Sequence, residues 1–174
     1  MKAINSTPVT KYHDLQTDRL TLTPFAPAML LELHRIFADA DVRRYLMDDK
    51  VVPLEWVADA IATSQKSFAE SNYGLWAIYQ QDTEPIIGFC GYWYFGQLSY
   101  PLQLIYGLLP DYWGAGLATE TAQSMIKYGF EQAGFSEIVA AADIPNSASF
   151  AVMKRLGMNY WKTEDAIDYY KLAR

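Results

Sequence analysis

The sequence predicts an α/β protein in which helices cover both faces of one mixed β-sheet. Short segments with alternating or continuous apolar residues predict strands, and segments with apolar residues at three- and four-residue spacing predict helices. Along the chain these segments form a strand, two helices, a meander of three strands, and then strands alternating with helices. A meander followed by crossover units gives a sheet with both antiparallel and parallel neighbours.

The first strand and two helices are predicted before residue 70. Residues 19–23 alternate with period two, and Pro24 ends that strand. From Ala28 apolar residues recur at helical spacing, which predicts the first helix. A second helix is predicted over residues 54–69.

The middle of the chain is rich in predicted strands. Residues 73–79, 86–95 and 102–109 each form an apolar or aromatic run, and an acidic turn at 81–85 separates the first two. The third run is apolar almost throughout, which is typical of a strand covered on both faces. We therefore expect a three-stranded meander here.

The last third of the chain alternates between helix and strand. A helix with one apolar face ends near Gly134, and Asn146 is a favourable N-cap for a second helix that ends at Gly157. Strands are predicted between and after these helices, over residues 138–142, 159–162 and 167–172. The last two form a predicted terminal hairpin.

Length and charge indicate one soluble domain and disfavour several classes of partner. The chain has 174 residues, which fits a single domain over residues 15–174 behind a flexible segment at 1–14. The formal net charge is −6, and the 14 Lys and Arg residues are scattered. Because nucleic-acid binding requires a concentrated basic face, we expect no nucleic-acid partner.

The sequence predicts a cytoplasmic location and no membrane partner. No run approaches the ~20 apolar residues needed to cross a bilayer, and the N-terminus lacks the apolar stretch of a secretory signal. The single cysteine, Cys90, lies in an apolar run and is interpreted as a buried core residue. One Cys and two distant His predict no metal site.

Residues 108–120 are the most informative segment. An apolar strand runs into a turn that contains Gly114 and Gly116, and a helix follows directly. The first amides of a helix lack internal acceptors and lie at the positive end of the helix dipole. Glycines let an anion approach the backbone, so this turn predicts a phosphate-binding cradle. By itself, however, a Gly-x-Gly pair is equally explained by tight strand–helix packing.

Two other nucleotide-binding motifs fit this turn poorly. A P-loop requires Lys after the second glycine, and here Leu117 follows. A dinucleotide fingerprint requires Gly or Ala where Thr119 stands, and an acidic residue at the end of the next strand, whereas Glu137 stands at its beginning. A nicotinamide-dependent oxidoreductase is therefore disfavoured.

Residues 106–120 strongly resemble the coenzyme A signature of the GNAT superfamily of N-acyltransferases. The turn is similar to that of the ribosomal-protein-alanine N-acetyltransferase branch, Tyr-Trp-Gly-x-Gly-x-Ala-Thr-Glu. Residues 146–158 resemble the family's Asn-x-x-Ser block with its downstream Lys-x-Gly-Phe, and residues 15–22 resemble the branch's opening. The resemblance covers nearly the whole chain from Leu15. It implies a mixed, mostly antiparallel sheet of six or seven strands with helices on both faces.

The resemblance also implies acetyl-CoA as co-substrate. In the family the amides of the turn and first helical residues bind the pyrophosphate, and the preceding strand pairs with the pantetheine arm. Asn146 resembles the family residue that bonds the pantetheine amides, although a plain N-cap explains it equally. The implied coenzyme-binding residues are Leu108, Leu109, Gly114, Ala115, Gly116, Leu117, Ala118, Thr119, Asn146 and Ser149. Trp113 replaces the superfamily's usual Gln or Arg, and Ala115 stands where many relatives have Lys.

The candidate catalytic residues are Ser149 and Tyr106. Ser149 lies one helical turn after Asn146, where it is expected to face the departing thiolate, with an exposed helix serine as the alternative. The tyrosine that serves as general acid in many relatives falls near Met153.

The general base is left open. The family's frequent Glu is replaced by Gln103, which is not basic. Tyr106, Asp143 and Glu120 are the remaining candidates, and Glu120 is equally explained as a partner of the helix dipole. We therefore expect deprotonation through water, ordered by Tyr106 or Asp143.

The predicted function is the transfer of an acetyl group from acetyl-CoA to a primary amine, by direct attack in a ternary complex. The acceptor is a protein N-terminal α-amine, an amino acid or a small amine, and the protein acts as a monomer or homodimer. The alternative is a coenzyme A-binding sensor or pseudoenzyme on the same fold. Gln103 and Met153 support that alternative.

Overall fold

The fold is built on one open sheet of eight strands. The structure is a computed structural model that describes residues 13–81, 83–95 and 101–174. Most of the segment expected to be flexible, 1–14, lies outside these residues. The strand order is β1-β2-β3-β4-β5-β6-β8-β7, and the strands are β1 Leu15–Gln16, β2 Leu20–Pro24, β3 Leu75–Gln80, β4 Ile86–Trp93, β5 Gln103–Leu108, β6 Glu137–Asp143, β7 Asn159–Glu164 and β8 Ile167–Ala173.

The α-helices occupy the positions that the apolar spacing predicts, with one addition. They are α1 Leu30–Ala38, α2 Ala40–Arg43, α3 Leu54–Ser71, α4 Leu117–Glu131 and α5 Ser147–Arg155. The helix predicted from Ala28 begins as a short 3-10 helix, Pro27–Met29, which leads into α1. The short helix α2 was not predicted, because four residues are too few for a helical period to be visible.

All neighbouring strands are antiparallel except β5 and β6, which are parallel. The predicted fold class, a mixed and mostly antiparallel sheet with helices on both faces, is therefore confirmed. Seven strands correspond to predicted ones, and the two-residue β1 is the eighth.

The helices divide the core into two layers. Leu33 and Phe37 of α1 and Ile61 of α3 pack with Phe89 on one face of the sheet. On the other face, helices α4 and α5 contribute Met125 and Val152 to a second cluster. Because side chains alternate along a strand, each strand residue belongs to one of these two faces.

Strands β5 and β6 separate soon after they meet. Their ladder contains the single pair Gln103↔Val139, although β5 continues for five residues and β6 for four. Tyr106 and Leu108 lie in the stretch of β5 that has lost its neighbour. The divergence opens a gap in the middle of the sheet, and the gap determines where the functional site lies.

Candidate active site

A cavity of about 640 Å³ occupies the gap between β5 and β6. Its lining residues come from both faces of the sheet. Leu104, Tyr106 and Leu108 belong to the α4–α5 face, whereas Ile105 packs with the α1–α3 face. The cavity therefore passes through the sheet and offers two compartments, one on each face, that meet between the strands.

The backbone of β5 directs polar groups into this gap. The Leu109 amide donates to the carbonyl of Ile87 over 2.9 Å, so Leu109 faces β4. By alternation along the strand, the amides of Leu104, Tyr106 and Leu108 face β6 and the gap. An extended ligand can therefore add to β5 like a strand.

Trp113 stabilises the end of this strand. Its indole Nε1 donates to the Leu108 carbonyl over 2.7 Å. That carbonyl faces the gap, where β6 supplies no partner. The tryptophan thus occupies one acceptor of β5 and holds the turn before α4 against the strand.

The turn before α4 is an anion cradle in its backbone geometry. Gly114 and Gly116 have positive φ angles of 74° and 79°, a conformation that glycine adopts without strain. Gly116 is the N-cap of α4, and no side chain caps this helix. The amides of Leu117, Ala118 and Thr119 in the first turn therefore lack internal acceptors, and these residues line the cavity. The positive end of the helix dipole lies at the same place.

Glu120 holds this turn to the beginning of the sheet. Its carboxylate accepts hydrogen bonds from Thr17 Oγ1 at 2.6 Å, Arg19 N at 2.9 Å and Arg19 Nε at 2.7 Å, and pairs with Arg19 Nη2 at 2.6 Å. Arg19 Nη1 also donates to the Ala115 carbonyl over 2.8 Å. Burial raises the pKa of Glu120, but these hydrogen bonds and the Arg19 charge together lower it below its usual value. Glu120 is thus ionised and held in place by Thr17 and Arg19, so its role is structural.

Tyr106 and Ser149 come together in the α4–α5 compartment. The Tyr106 hydroxyl donates to the Ser149 carbonyl over 3.4 Å. Burial raises the pKa of Tyr106, and a hydrogen bond with the Ser149 side chain opposes only part of that rise. The phenol therefore stays protonated at neutral pH, so that it is a proton donor and not a base.

Asn146 has the capping role that the sequence predicts. Its side-chain oxygen accepts from the Ser149 amide over 3.2 Å at the start of α5. Asn146 also lines the cavity. Since the cap uses the oxygen, the side-chain NH₂ group is left as a donor for a ligand.

The other compartment contains Gln103 and Asp143. Gln103 is 6% exposed and lines the cavity. Asp143 ends β6 on the same face, because Ala142 before it packs in the α4–α5 cluster. Burial, and secondarily the negative charge of Asp48, raise the pKa of Asp143. A carboxylate with this environment has a higher proton affinity than an exposed one.

Most of the residues that were expected to bind the coenzyme meet around one cavity. Two do not point there: Leu109 turns its amide to β4, and Ala115 directs its carbonyl to Arg19. Sequence reasoning missed the roles of Arg19 and Trp113. Arg19 donates a hydrogen bond to Glu120, which lies 101 positions later in the chain. Only the resemblance of residues 15–22 to the family pointed to the segment that contains Arg19.

The described ranges contain neither a candidate metal site nor a helix suited to span a membrane. No group of three or more His, Cys, Asp or Glu residues there could hold a metal ion. Among the same residues, no helix combines the length and apolar character needed to cross a membrane.

The diverging strand pair and the glycine turn that starts α4 define a protein with a cleft for an extended anionic ligand, and sequence comparison identifies the family. The family model described as the acetyltransferase (GNAT) domain matches residues 19–159. The chain therefore belongs to the GNAT acetyltransferase family. The uncharacterized N-acetyltransferase YoaA of Bacillus subtilis (strain 168) is 27% identical over 143 residues, which cover 82% of this chain and 81% of that protein. The protein is accordingly an N-acetyltransferase.

Solved structures share the fold along nearly the whole chain. An acetyltransferase from Agrobacterium tumefaciens str. C58 superposes with a TM-score of 0.81 at 22% identity, covering 94% of this chain and 95% of that one. RimL, a ribosomal L7/L12 α-N-protein acetyltransferase solved with coenzyme A, has a TM-score of 0.76 at 13% identity and covers 92% and 98%. At these identities the similarity concerns the fold alone.

Proposed function

We propose that this protein transfers the acetyl group of acetyl-CoA to a primary amine, in a ternary complex of enzyme, acetyl-CoA and amine. The single observation that carries the proposal is the cavity through the sheet. On one face it meets the glycine turn, the first-turn amides of α4 and Asn146, and on the other face it reaches Gln103 and Asp143. One compartment suits a coenzyme, and the other suits a separate acceptor.

The residues of the coenzyme compartment fit two parts of acetyl-CoA, the pyrophosphate and the pantetheine arm. The amides of Leu117, Ala118 and Thr119 offer hydrogen bonds to the pyrophosphate. The free edge of β5 offers its amides to the pantetheine arm, and Asn146 adds a side-chain donor. The RimL structure contains coenzyme A, which supports the same ligand for this chain.

The chemistry requires one proton donor and one proton acceptor. The neutral amine attacks the thioester carbonyl, a C–N bond forms, and the C–S bond then breaks. A β5 amide facing the gap stabilises the negative charge on the carbonyl oxygen. Tyr106, beside Ser149, supplies a proton to the leaving thiolate, since its phenol is protonated at neutral pH.

For the acceptor we propose a protein N-terminal α-amine, an amino acid or a small amine. RimL, by its name, acts on the α-amine of a ribosomal protein, which supports the first of these. Gln103 supports an acceptor that enters as the neutral amine, because a buried amide offers hydrogen bonds without a charge.

The test is a thiol-release assay with acetyl-CoA and a panel of amines. The panel contains peptides with free α-amines, the same peptides with blocked N-termini, amino acids and diamines. Transfer to at least one amine, confirmed by the mass of the product, supports the proposal. Coenzyme A binding by calorimetry without transfer to any amine would instead identify the sensor or pseudoenzyme that Gln103 and Met153 suggested.

A further inference from the structure

We propose that Asp143 is the catalytic base of this enzyme, accepting the proton that the amine loses as it attacks the thioester. The proposal rests on the acetyl transfer proposed above. It assigns the base to β6, on the wall of the cavity opposite Gln103 of β5.

The position of Asp143 follows from the strand register. Because β5 and β6 are parallel from the pair Gln103↔Val139, Asp143 stands at the height of Gly107, one residue from Tyr106. Tyr106 packs on the α4–α5 face, and Asp143 faces the other side. A thioester in the gap thus has a proton donor on one face of the sheet and a carboxylate on the other.

The contacts of the other candidate bases favour Asp143. Glu120 is saturated by Thr17 and Arg19, and the Tyr106 phenol stays protonated at neutral pH. Asp143 lines the cavity and is about half-buried, and within the described chain its carboxylate has neither a hydrogen bond nor an ion pair. Its oxygens are therefore available to a substrate.

A second polar side chain, that of Gln103, lies in the compartment proposed for the acceptor. Gln103 is 94% buried as a residue and lines the same cavity, and its side chain makes no hydrogen bond to another described residue. Gln103 is suited to hold the amine by its carbonyl oxygen while Asp143 takes the proton.

Four other charged residues line the same cavity as Asp143: Asp41, Arg44, Asp48 and Arg155. Asp48, from the loop after α2, faces it and lies 3.7 Å from Lys50 in an exposed ion pair. Arg44 lines the same cavity from the exposed side, and β8 places the apolar Ile167 beside Asp143. The pKa of Asp143 is raised in this setting, which strengthens it as a base.

The proton balance is complete with these groups. As the C–N bond forms, the nitrogen becomes cationic and its N–H becomes acidic, so a carboxylate is sufficient to accept the proton. Asp143 then releases that proton to solvent through the exposed side of the cavity. The thiolate receives its proton from Tyr106, and the resulting phenolate regains a proton from solvent before the next turnover.

The test compares Asp143→Asn with Asp59→Asn, which removes an exposed carboxylate of α3 outside the cavity. We expect Asp143→Asn to lower kcat by roughly 10²–10⁴-fold, with the coenzyme A Kd changed by less than about twofold. Asp59→Asn should leave both values unchanged. Melting temperatures identify any variant that fails to fold.

A pH profile separates a base from a structural residue. In the wild type, kcat/KM should rise with the second power of hydroxide concentration below the Asp143 pKa, because enzyme and amine must each lose a proton, and with the first power above it. Asp143→Asn should show the first power at every pH below the pKa of the amine. Burial is the larger cause of the raised Asp143 pKa, and Asp48→Asn removes only the smaller one, so any movement of the break in that variant should be small and toward lower pH.

An Asp143→Asn variant with wild-type rate and profile overturns the assignment of Asp143. Acetyl transfer by the wild type in the same assays would leave the proposed function intact. A wild-type protein that acetylates no amine overturns both proposals.

Discussion

Replacing Gly116 with valine tests whether the glycine turn binds the coenzyme's phosphates. Gly116 has a φ angle of +79°, where a β-branched residue is strained by about 1–3 kcal/mol. An added Cβ would approach Arg19 Nη2 at 3.7 Å, an ordinary contact distance, so the protein itself accommodates the atom. We therefore expect a folded variant with a melting temperature lower by about 2–12 °C.

The affinity for acetyl-CoA should also fall, for a reason separate from the backbone strain. The valine side chain would lie beside the first-turn amides of α4, where an approaching phosphate meets it. We expect acetyl-CoA affinity to drop at least about tenfold, which corresponds to about 1.4 kcal/mol. Isothermal titration calorimetry on the folded variant measures the change.

Gly134→Val is the matched control. Gly134 has a φ angle of +75°, and no heavy atom of the described structure lies within 4 Å of an added Cβ. It follows the other end of α4, so the variant carries a similar backbone strain without touching the cradle. If Gly116→Val and Gly134→Val bind acetyl-CoA equally well, the phosphate site is not at this turn.

Three further predictions concern proton transfer and the anchoring of α4. Ser149→Ala should lower kcat on the order of 10²-fold in steady-state assays with little change in acetyl-CoA affinity, whereas an equal loss in both would indicate a structural serine. Glu120→Gln should lower the melting temperature at neutral pH. Because folding lowers the pKa of Glu120, the stabilisation by its carboxylate is complete above about pH 4.3, the unfolded value, and is lost as pH falls through the folded pKa. The melting temperatures of the wild type and the variant should therefore converge in acid. Adding Gln103→Glu to Asp143→Asn should restore part of kcat, because the new carboxylate faces the same compartment, and no recovery would place Gln103 away from the amine.

Local sequence signals predicted the parts of the site that depend on local geometry. Gly114 and Gly116 predicted the turn because their positive φ angles are intrinsic to glycine, and Asn146 predicted a helix start because its side chain caps the amide of Ser149 three residues later. The strands and the four longer helices followed from periodicity. The contact between Tyr106 and Ser149 was not predicted, and only the structure shows it.

Contacts between distant segments were beyond sequence reasoning. The bond from Arg19 to Glu120 joins residues 101 positions apart, and neither residue type signals it. The prediction that Leu109 binds the coenzyme did not account for strand parity, since the Leu109 amide donates to Ile87. Alternate amides of a strand face opposite sides, so a residue can be assigned to the ligand only when it is known which strand lies on each side.

The alternation of side chains along β5 and β6 also explains how one cavity keeps the two proposed proton-transfer groups, Tyr106 and Asp143, apart. At adjacent heights of the gap, Tyr106 packs on the α4–α5 face and Asp143 faces the α1–α3 side. If the strands stayed paired, their backbone groups would bind one another and the sheet would separate the two compartments. Because the ladder ends after Gln103↔Val139, a thioester can lie between the faces. In the proposed reaction the amine loses its proton to Asp143 on one side while the thiolate gains one from Tyr106 on the other, so no single group has to serve both steps.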